Sequence, residues 1–332
     1  MHFNTSGWIT NARLVERAGV FVDFFFVLSG FVIAHAYRER LQSGQVADFL
    51  VRRVGRLWPL HAAVLLGCVV LAQLGSAVGL YVRGWDYDLL AANLTLTHSW
   101  GFVDHLGWNL PSWSISTEMF AYLVFTLVAW ASPARALDAV CAAILLARLA
   151  LVVLVAPNGM GSTYDFGIVR CLFGFMAGVL AHRAWDGLGW RPRGEWPALA
   201  AVIAAVLWLP DDAAPLVVPL FAWVVLVFAG DAGSLSALLQ RPLPQLLGRL
   251  SYSIYLVHYV VALALMACLL WLGWVQEIEG NATFVAPLWA TETITLLYLL
   301  VVVLVSALTY RWIEQPGQRL FRMRPKRVPA DW

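Results

Sequence analysis

Asp23, Glu118, Arg148 and Arg170 are ionisable residues set inside long apolar stretches, and Arg52, Arg53 and Arg56 crowd three guanidinium groups into a short segment before Trp58 and Pro59. Charge inside an apolar stretch is costly unless paired, so each of the first four is a functional candidate. Clustered guanidinium groups hold oxyanions bidentately, which suits a phosphorylated ligand. Ser114 and Glu118 stand four apart, on one face of a helix. Ser251, Tyr255 and His258 share a face in the same way, at i, i+4 and i+7. A lone histidine there serves equally well to hydrogen-bond a neighbouring helix. Arg148 and Arg170 are open to two readings, as counter-ions to Asp23 and Glu118 or as contacts to an anionic substrate.

The elements that must position these residues are apolar helices. The 332-residue chain is 61% hydrophobic and 13% charged, where an ordinary soluble domain has about a quarter of its residues charged. A spanning helix needs about 20 mostly apolar residues. Nine stretches qualify, at 20–37, 57–78, 112–131, 139–156, 166–183, 197–209, 215–230, 250–273 and 292–312, of which the sixth and seventh are short. Backbone polar groups must be paired within lipid, and continuous apolar runs without alternation exclude a barrel. The expected fold is therefore all-α, a polytopic transmembrane helical bundle. Cys68, Cys141, Cys171 and Cys268 fall inside spans without CxxC spacing, which reads as apolar packing and not as a disulfide framework or metal site. No Walker motif, GxGxxG loop or metal-ligand array occurs, and neither a metal nor a nucleic-acid partner is expected.

Charge placement orients the bundle. Of the 22 basic residues, 17 lie in alternate connections and in the C-terminal segment. The positive-inside rule makes that side cytoplasmic, with the N-terminus outside and the C-terminus inside. Residues 1–18 then form a polar outer segment, 19–313 the bundle, and 314–332 a basic tail at the anionic inner leaflet. Asp211 and Asp212 make a short outer turn between the two short spans. The connection 79–111, rich in Trp, Tyr, His and Asn, reads either as interfacial anchoring or as a carbohydrate-facing surface. Topology gathers His2, Asp23, Glu118 and Arg170 towards the outer side. Arg52, Arg53, Arg56 and, more deeply, Tyr255 and His258 gather towards the inner side. The inner group suits a phosphorylated cytoplasmic ligand. The outer group suits proton transfer to or from a hydroxyl, since a histidine beside a carboxylate is a usual general-base arrangement, though it also describes a structural hydrogen-bond pair. Across an apolar core ~30 Å thick, one compact ligand does not touch both groups.

Six segments, in order, carry a resemblance: GVFVDFFFVLSGF at 19–31, RRVGRLWPLH at 52–61, PSWSISTEMFAYL at 111–123, RCLFGFMAG at 170–178, LGRLSYSIYLVHY at 247–259 and RWIEQP at 311–316. Together they resemble acyltransferase family 3, the integral-membrane O-acyltransferases of bacterial surface glycans and peptidoglycan. The resemblance implies transfer of an acyl group, usually acetyl, from cytoplasmic acyl-CoA to a sugar hydroxyl at or beyond the outer face of the bacterial inner membrane. It implies that Arg53 and Arg56 serve the CoA end and that Glu118 is the acidic residue after the WS motif. It also implies a catalytic histidine, matched by His2 through its distance from 19–31, with Glu118 or Asp23 orienting it. The family shows ten spans, and its histidine follows an arginine by eleven positions in a preceding helix. Here the arginine and that helix have no counterpart, and the chain is expected to begin at an internal methionine. Val260 and Val261 stand where the family tends to have a proline. Other classes remain open: a transporter of the acyl donor or of a lipid-linked glycan, or an inactive relative that binds envelope enzymes. A separate envelope enzyme is a possible partner of the transferase.

Overall fold

The computed structural model describes residues 13–77, 84–131, 134–154, 163–210, 216–278, 281–284 and 288–321. His2, Asp211, Asp212 and the tail beyond 321 lie outside the described residues. Among the described residues, nine helices account for the nine apolar stretches: α1 (Phe21–Gln42), α2 (Val46–Ala77), α3 (Trp113–Ala131), α4 (Ala134–Leu154), α5 (Gly167–Asp186), α6 (Glu195–Trp208), α7 (Val217–Ala229), α8 (Pro242–Trp271) and α9 (Leu288–Thr309). Six of them are long and apolar enough to cross a membrane, while α6 and α7 are shorter apolar helices. The remaining one, α4, carries Arg135, Asp138 and Arg148. The chain is thus an all-α, multi-pass membrane bundle. A two-stranded antiparallel hairpin, β1 (Val275–Ile278) and β2 (Asn281–Phe284), projects between α8 and α9, pairing Val275 with Phe284.

At the centre stands α5, whose apolar span is 67% buried, against 11% for the peripheral α9 and its continuation. Its closest partner is α1. Glycines set that approach: a Cβ on Gly30 would lie 1.8 Å from the Phe175 carbonyl oxygen, and one on Gly178 would lie 1.9 Å from that of Val27. Lipid supplies no hydrophobic drive for helices to pair, so backbone contact through small residues does the work. Gly178→Ala is expected to cost about 1–3 kcal/mol or more through overpacking. A thermal-shift assay on detergent-solubilised protein reads this, and an unchanged melting temperature would contradict the close approach.

Three features depart from the sequence reading. First, α2 begins at Val46, so it runs for 32 residues, about 48 Å at 1.5 Å per residue. Arg52, Arg53 and Arg56 therefore stand on a helix and not in a loop. Second, the connection 84–112 is folded partly into the bundle. Trp85, Trp108, His98 and Asn109 are buried, and the segment descends beside α2, where the Trp58 indole donates to the Leu94 carbonyl at 2.9 Å and His61 Nε2 lies 2.7 Å from the Asn93 carbonyl. Those contacts sit roughly 24–29 Å along α2 from its Ala77 end. Irregular backbone at such depth is tolerated where protein buries it. Trp108, at φ 58°, accepts a costly left-handed conformation because the Trp85 indole bonds its carbonyl at 3.0 Å and its own indole bonds the Asp86 carbonyl at 3.0 Å. Third, the helix does not end near 313. It continues through a π-turn at Tyr310–Glu314 and a short helix, Gln315–Leu320, packed on α2, with Glu314 and Gly317 buried. Of the cysteines, Cys68, Cys141 and Cys171 are buried, as packing residues should be, and Cys268 is exposed.

The connection 84–112 carries a pH-sensitive contact. His105 Nε2 lies 2.9 Å from Asp86 and Nδ1 lies 2.6 Å from Asp104. Hydrogen bonding to Asp86, then to Asp104, raises the His105 pKa. A raised folded-state pKa contributes stability below the ordinary value of about 6.5 and loses it as pH rises through the folded-state value. His105→Asn should therefore lower the melting temperature more at about pH 5.5 than at about pH 8.5. An equal shift at both would show that the imidazolium is not what these aspartates hold.

Candidate active site

Asp23, on the first turn of α1, and Arg170, on the first turn of α5, form a buried ion pair. Arg170 Nε donates to Oδ1 at 2.9 Å and an Nη to Oδ2 at 2.8 Å, with Asp23 1% and Arg170 5% exposed. The same guanidinium reaches the Gly19 carbonyl at 3.2 Å and lies 5.0 Å from the Trp113 ring. Arg148 from α4 is also buried and acts electrostatically on Asp23. The counter-ion reading thus describes Arg170 and Arg148 with respect to Asp23.

Glu118 belongs to a different place. Together with Arg53 and Arg56 it lines a cavity of about 270 Å³ between α1, α2, α3 and α8. Its Oε1 accepts hydrogen bonds from Ser29 at 2.5 Å and from Tyr122 at 2.6 Å. Among the described residues no donor is placed on Oε2. Tyr122 ties the carboxylate to the arginine, since the Arg53 guanidinium lies 5.9 Å from its ring. Arg53 also lies 5.0 Å from the Tyr37 ring and 5.7 Å from the Phe49 ring, and donates to the Tyr37 hydroxyl at 3.0 Å. Its buried Nε finds no partner among the described residues. Arg56 pairs with buried Glu314, which also accepts from Ser253 at 2.7 Å and from Gln318 at 3.1 Å. Tyr252, over which Arg56 lies at 5.3 Å, donates to the Leu57 carbonyl.

The expected division into outer and inner groups therefore fails at Glu118, which faces the arginines and not Asp23 and Arg170. The cause is helical geometry: Glu118 lies more than a turn into α3, level with Ser29 in the middle of α1, and α2 carries Arg53 up to the same level. Arg52 also leaves its expected company. It stands about 100° around the helix from Arg53 and bonds Asp48, one turn back, at 2.7 Å.

Tyr255 and Ser114 form the wall between this cavity and a second one. Their hydroxyls lie 2.8 Å apart, and Tyr255 also donates to the Pro111 carbonyl at 2.8 Å. The second cavity, of about 480 Å³, is lined by Tyr255, His258, Trp113, Tyr259 and Tyr298. His258 is thus grouped with the aromatics and not with the arginines. Its Nδ1 lies 2.7 Å from the Tyr255 carbonyl, which assigns the proton to Nδ1 and leaves a lone pair on Nε2. Sequence reading passed over Tyr122, Ser29 and Glu314. Tyr122 had a signal, standing four residues after Glu118, and Glu314 had another, as the one acidic residue in RWIEQP.

A membrane-embedded bundle whose interior cavity sets a hydrogen-bonded carboxylate against two arginines is suited to bind an oxyanion and to move a proton beside it. Comparison with known proteins gives the family. The family model described as Acyltransferase domain, Acyl_transf_3, matches residues 1–311. The chain belongs to acyltransferase family 3, and it is an enzyme that transfers acyl groups other than aminoacyl groups. It is 25% identical to Acyltransferase MdmB of Streptomyces mycarofaciens, over 96% of this chain and 86% of that protein. It is 28% identical to Nodulation protein 10 of Rhizobium leguminosarum bv. viciae, over 90% of this chain and 82% of that protein. A shorter match, 50% identical over 46 residues, joins it to Protein 2 in picA locus of Rhizobium radiobacter, covering 13% of this chain and 24% of that protein. No solved structure matches.

Proposed function

We propose that this protein moves an acyl group, acetyl in the simplest case, from acyl-CoA to a hydroxyl of a cell-surface or lipid-linked carbohydrate. The observation that carries this reading is the single cavity in which Glu118 faces Arg53 and Arg56. Its volume of about 270 Å³ lies just below the roughly 300–1,000 Å³ of small-molecule sites. That suits a slender acyl-pantetheine arm better than a whole nucleotide. The unpartnered Arg53 Nε is a donor for an oxygen of that arm or its phosphates. In this reading the acceptor enters the second cavity, where aromatic faces suit a sugar, and meets the thioester at the Ser114 and Tyr255 wall.

Transfer joins the acceptor oxygen to the thioester carbonyl carbon and breaks the carbon–sulfur bond. The acceptor proton leaves to a base and returns to the departing thiolate. Glu118 is the carboxylate placed for that duty, because both Asp23 oxygens are engaged by Arg170 while Glu118 Oε2 is not. His2, which the family resemblance implies as the acceptor base, is the alternative to Glu118 in that duty, and Glu118 would then orient it. The arginine-bearing ends of the helices meet at one face, where Asp138 joins Arg38 at 3.6 Å and Arg183 at 3.0 Å. We assign that face to the cytoplasm of a bacterial inner membrane, with the C-terminus inside.

The test is radiolabelled acetyl-CoA supplied to inside-out vesicles. Covalent label on envelope glycan is expected. Soluble label accumulating unchanged would point to a transporter, and donor binding without turnover to an inactive relative or one needing a separate envelope enzyme.

A further inference from the structure

At the same basic face, away from Glu118, lies a cavity of about 520 Å³ between the ends of α5 and α7 and the start of α6. We propose that it binds the phosphodiester headgroup of an anionic phospholipid, independently of the transfer reaction.

Its lining is rich in donors. Arg191 and Arg193 both contribute, and the Arg191 guanidinium lies 3.7 Å from the Trp185 ring centroid, which holds the charge against the cavity wall. The Trp185 indole nitrogen is buried without a partner among the described residues. The one carboxylate in the lining, Glu195, is occupied. It accepts the backbone N–H groups of Gly233 at 3.1 Å, Leu235 at 2.8 Å and Ser236 at 3.1 Å, and the Ser236 hydroxyl. Among the described residues neither Arg191 nor Arg193 is paired with a carboxylate. The two guanidinium groups are donors only, so the complementary ligand is an anion that only accepts, which describes a phosphate.

Position distinguishes a lipid headgroup from a soluble phosphate. The cavity opens where three helices end, at the level at which headgroups lie. Exposed Leu188, Trp190 and Trp196 flank it, giving acyl chains an apolar rim of the kind aromatic residues form at membrane surfaces. Basic pockets between helix ends at that surface take lipid headgroups.

Native mass spectrometry of the delipidated full chain tests this with dihexanoyl phosphatidylglycerol, dihexanoyl phosphatidylcholine and inorganic phosphate. The wild type should retain phosphatidylglycerol over phosphatidylcholine by about tenfold or more, and R191Q/R193Q should lose that preference. R191K/R193K, which keeps the charge, should retain part of it, and R40Q, at the same face outside the cavity, should keep it in full. No headgroup preference in the wild type, a preference surviving in R191Q/R193Q, or displacement of the lipid by an equal concentration of inorganic phosphate would overturn the assignment.

Discussion

Glu118→Gln is expected to slow acyl transfer by roughly 10²–10⁴-fold, the usual contribution of a positioned general base, while the protein inserts and melts as the wild type does. The substitution suits the question because it preserves shape. A glutamine carbonyl oxygen still accepts from Ser29 and Tyr122, as Oε1 does now, so the packing of α1 against α3 survives. What disappears is the basic lone pair on Oε2 and the negative charge opposite Arg53 and Arg56. Full activity in Glu118→Gln would sink the role given to this carboxylate.

Asp23→Leu is expected to destabilise the bundle by about 3–5 kcal/mol, the cost of breaking a buried ion pair from one side. The direction of asymmetry is more telling than the size. Asp23 answers two arginines, Arg170 by direct hydrogen bonds and Arg148 through electrostatic attraction. Removing it takes from Arg170 both of its carboxylate bonds and from Arg148 an attracting charge. Arg170→Leu leaves Asp23 with Arg148 and should be the milder change. Melting temperatures of the two single variants and of Asp23→Leu/Arg170→Leu give the cycle. A more severe loss in Arg170→Leu than in Asp23→Leu would mean that Arg148 does not share the carboxylate.

Much of this organisation is legible in the sequence, because apolar periodicity and buried charge are strong signals. All nine stretches are helices, and Asp23, Glu118, Arg53 and Arg56 stand in the interior. What the sequence conceals is the level at which each helix meets its neighbours. The arginine segment reads as a loop because its charges end the apolar run, yet helix formation continues through them to Val46. Hydropathy marks where lipid contact stops, not where hydrogen bonding stops. The connection 84–112 reads as surface because it is polar and aromatic. Part of its polarity in fact sits inside, where Asn93, His98, Asn109 and Ser112 are all buried. The separation of Arg52 from Arg53 was available from the helical wheel once the segment is taken as helix, with Asp48 one turn back. The partnership of Arg56 with Glu314 was not, since the two stand 258 positions apart and only the tertiary fold brings the last helix onto α2.

The most direct test of the cavity's division of labour is steady-state kinetics of acyl-CoA-dependent transfer in membrane vesicles, with Arg53→Gln and Glu118→Gln measured side by side. Arg53→Gln should raise KM for acyl-CoA by about tenfold or more, as expected for loss of a charge-assisted contact, with a smaller change in kcat. Glu118→Gln should lower kcat and leave KM for acyl-CoA near the wild-type value. Equal loss of kcat in both variants, or an unchanged KM in Arg53→Gln, would contradict a cavity in which the arginine holds the donor and the carboxylate moves the proton.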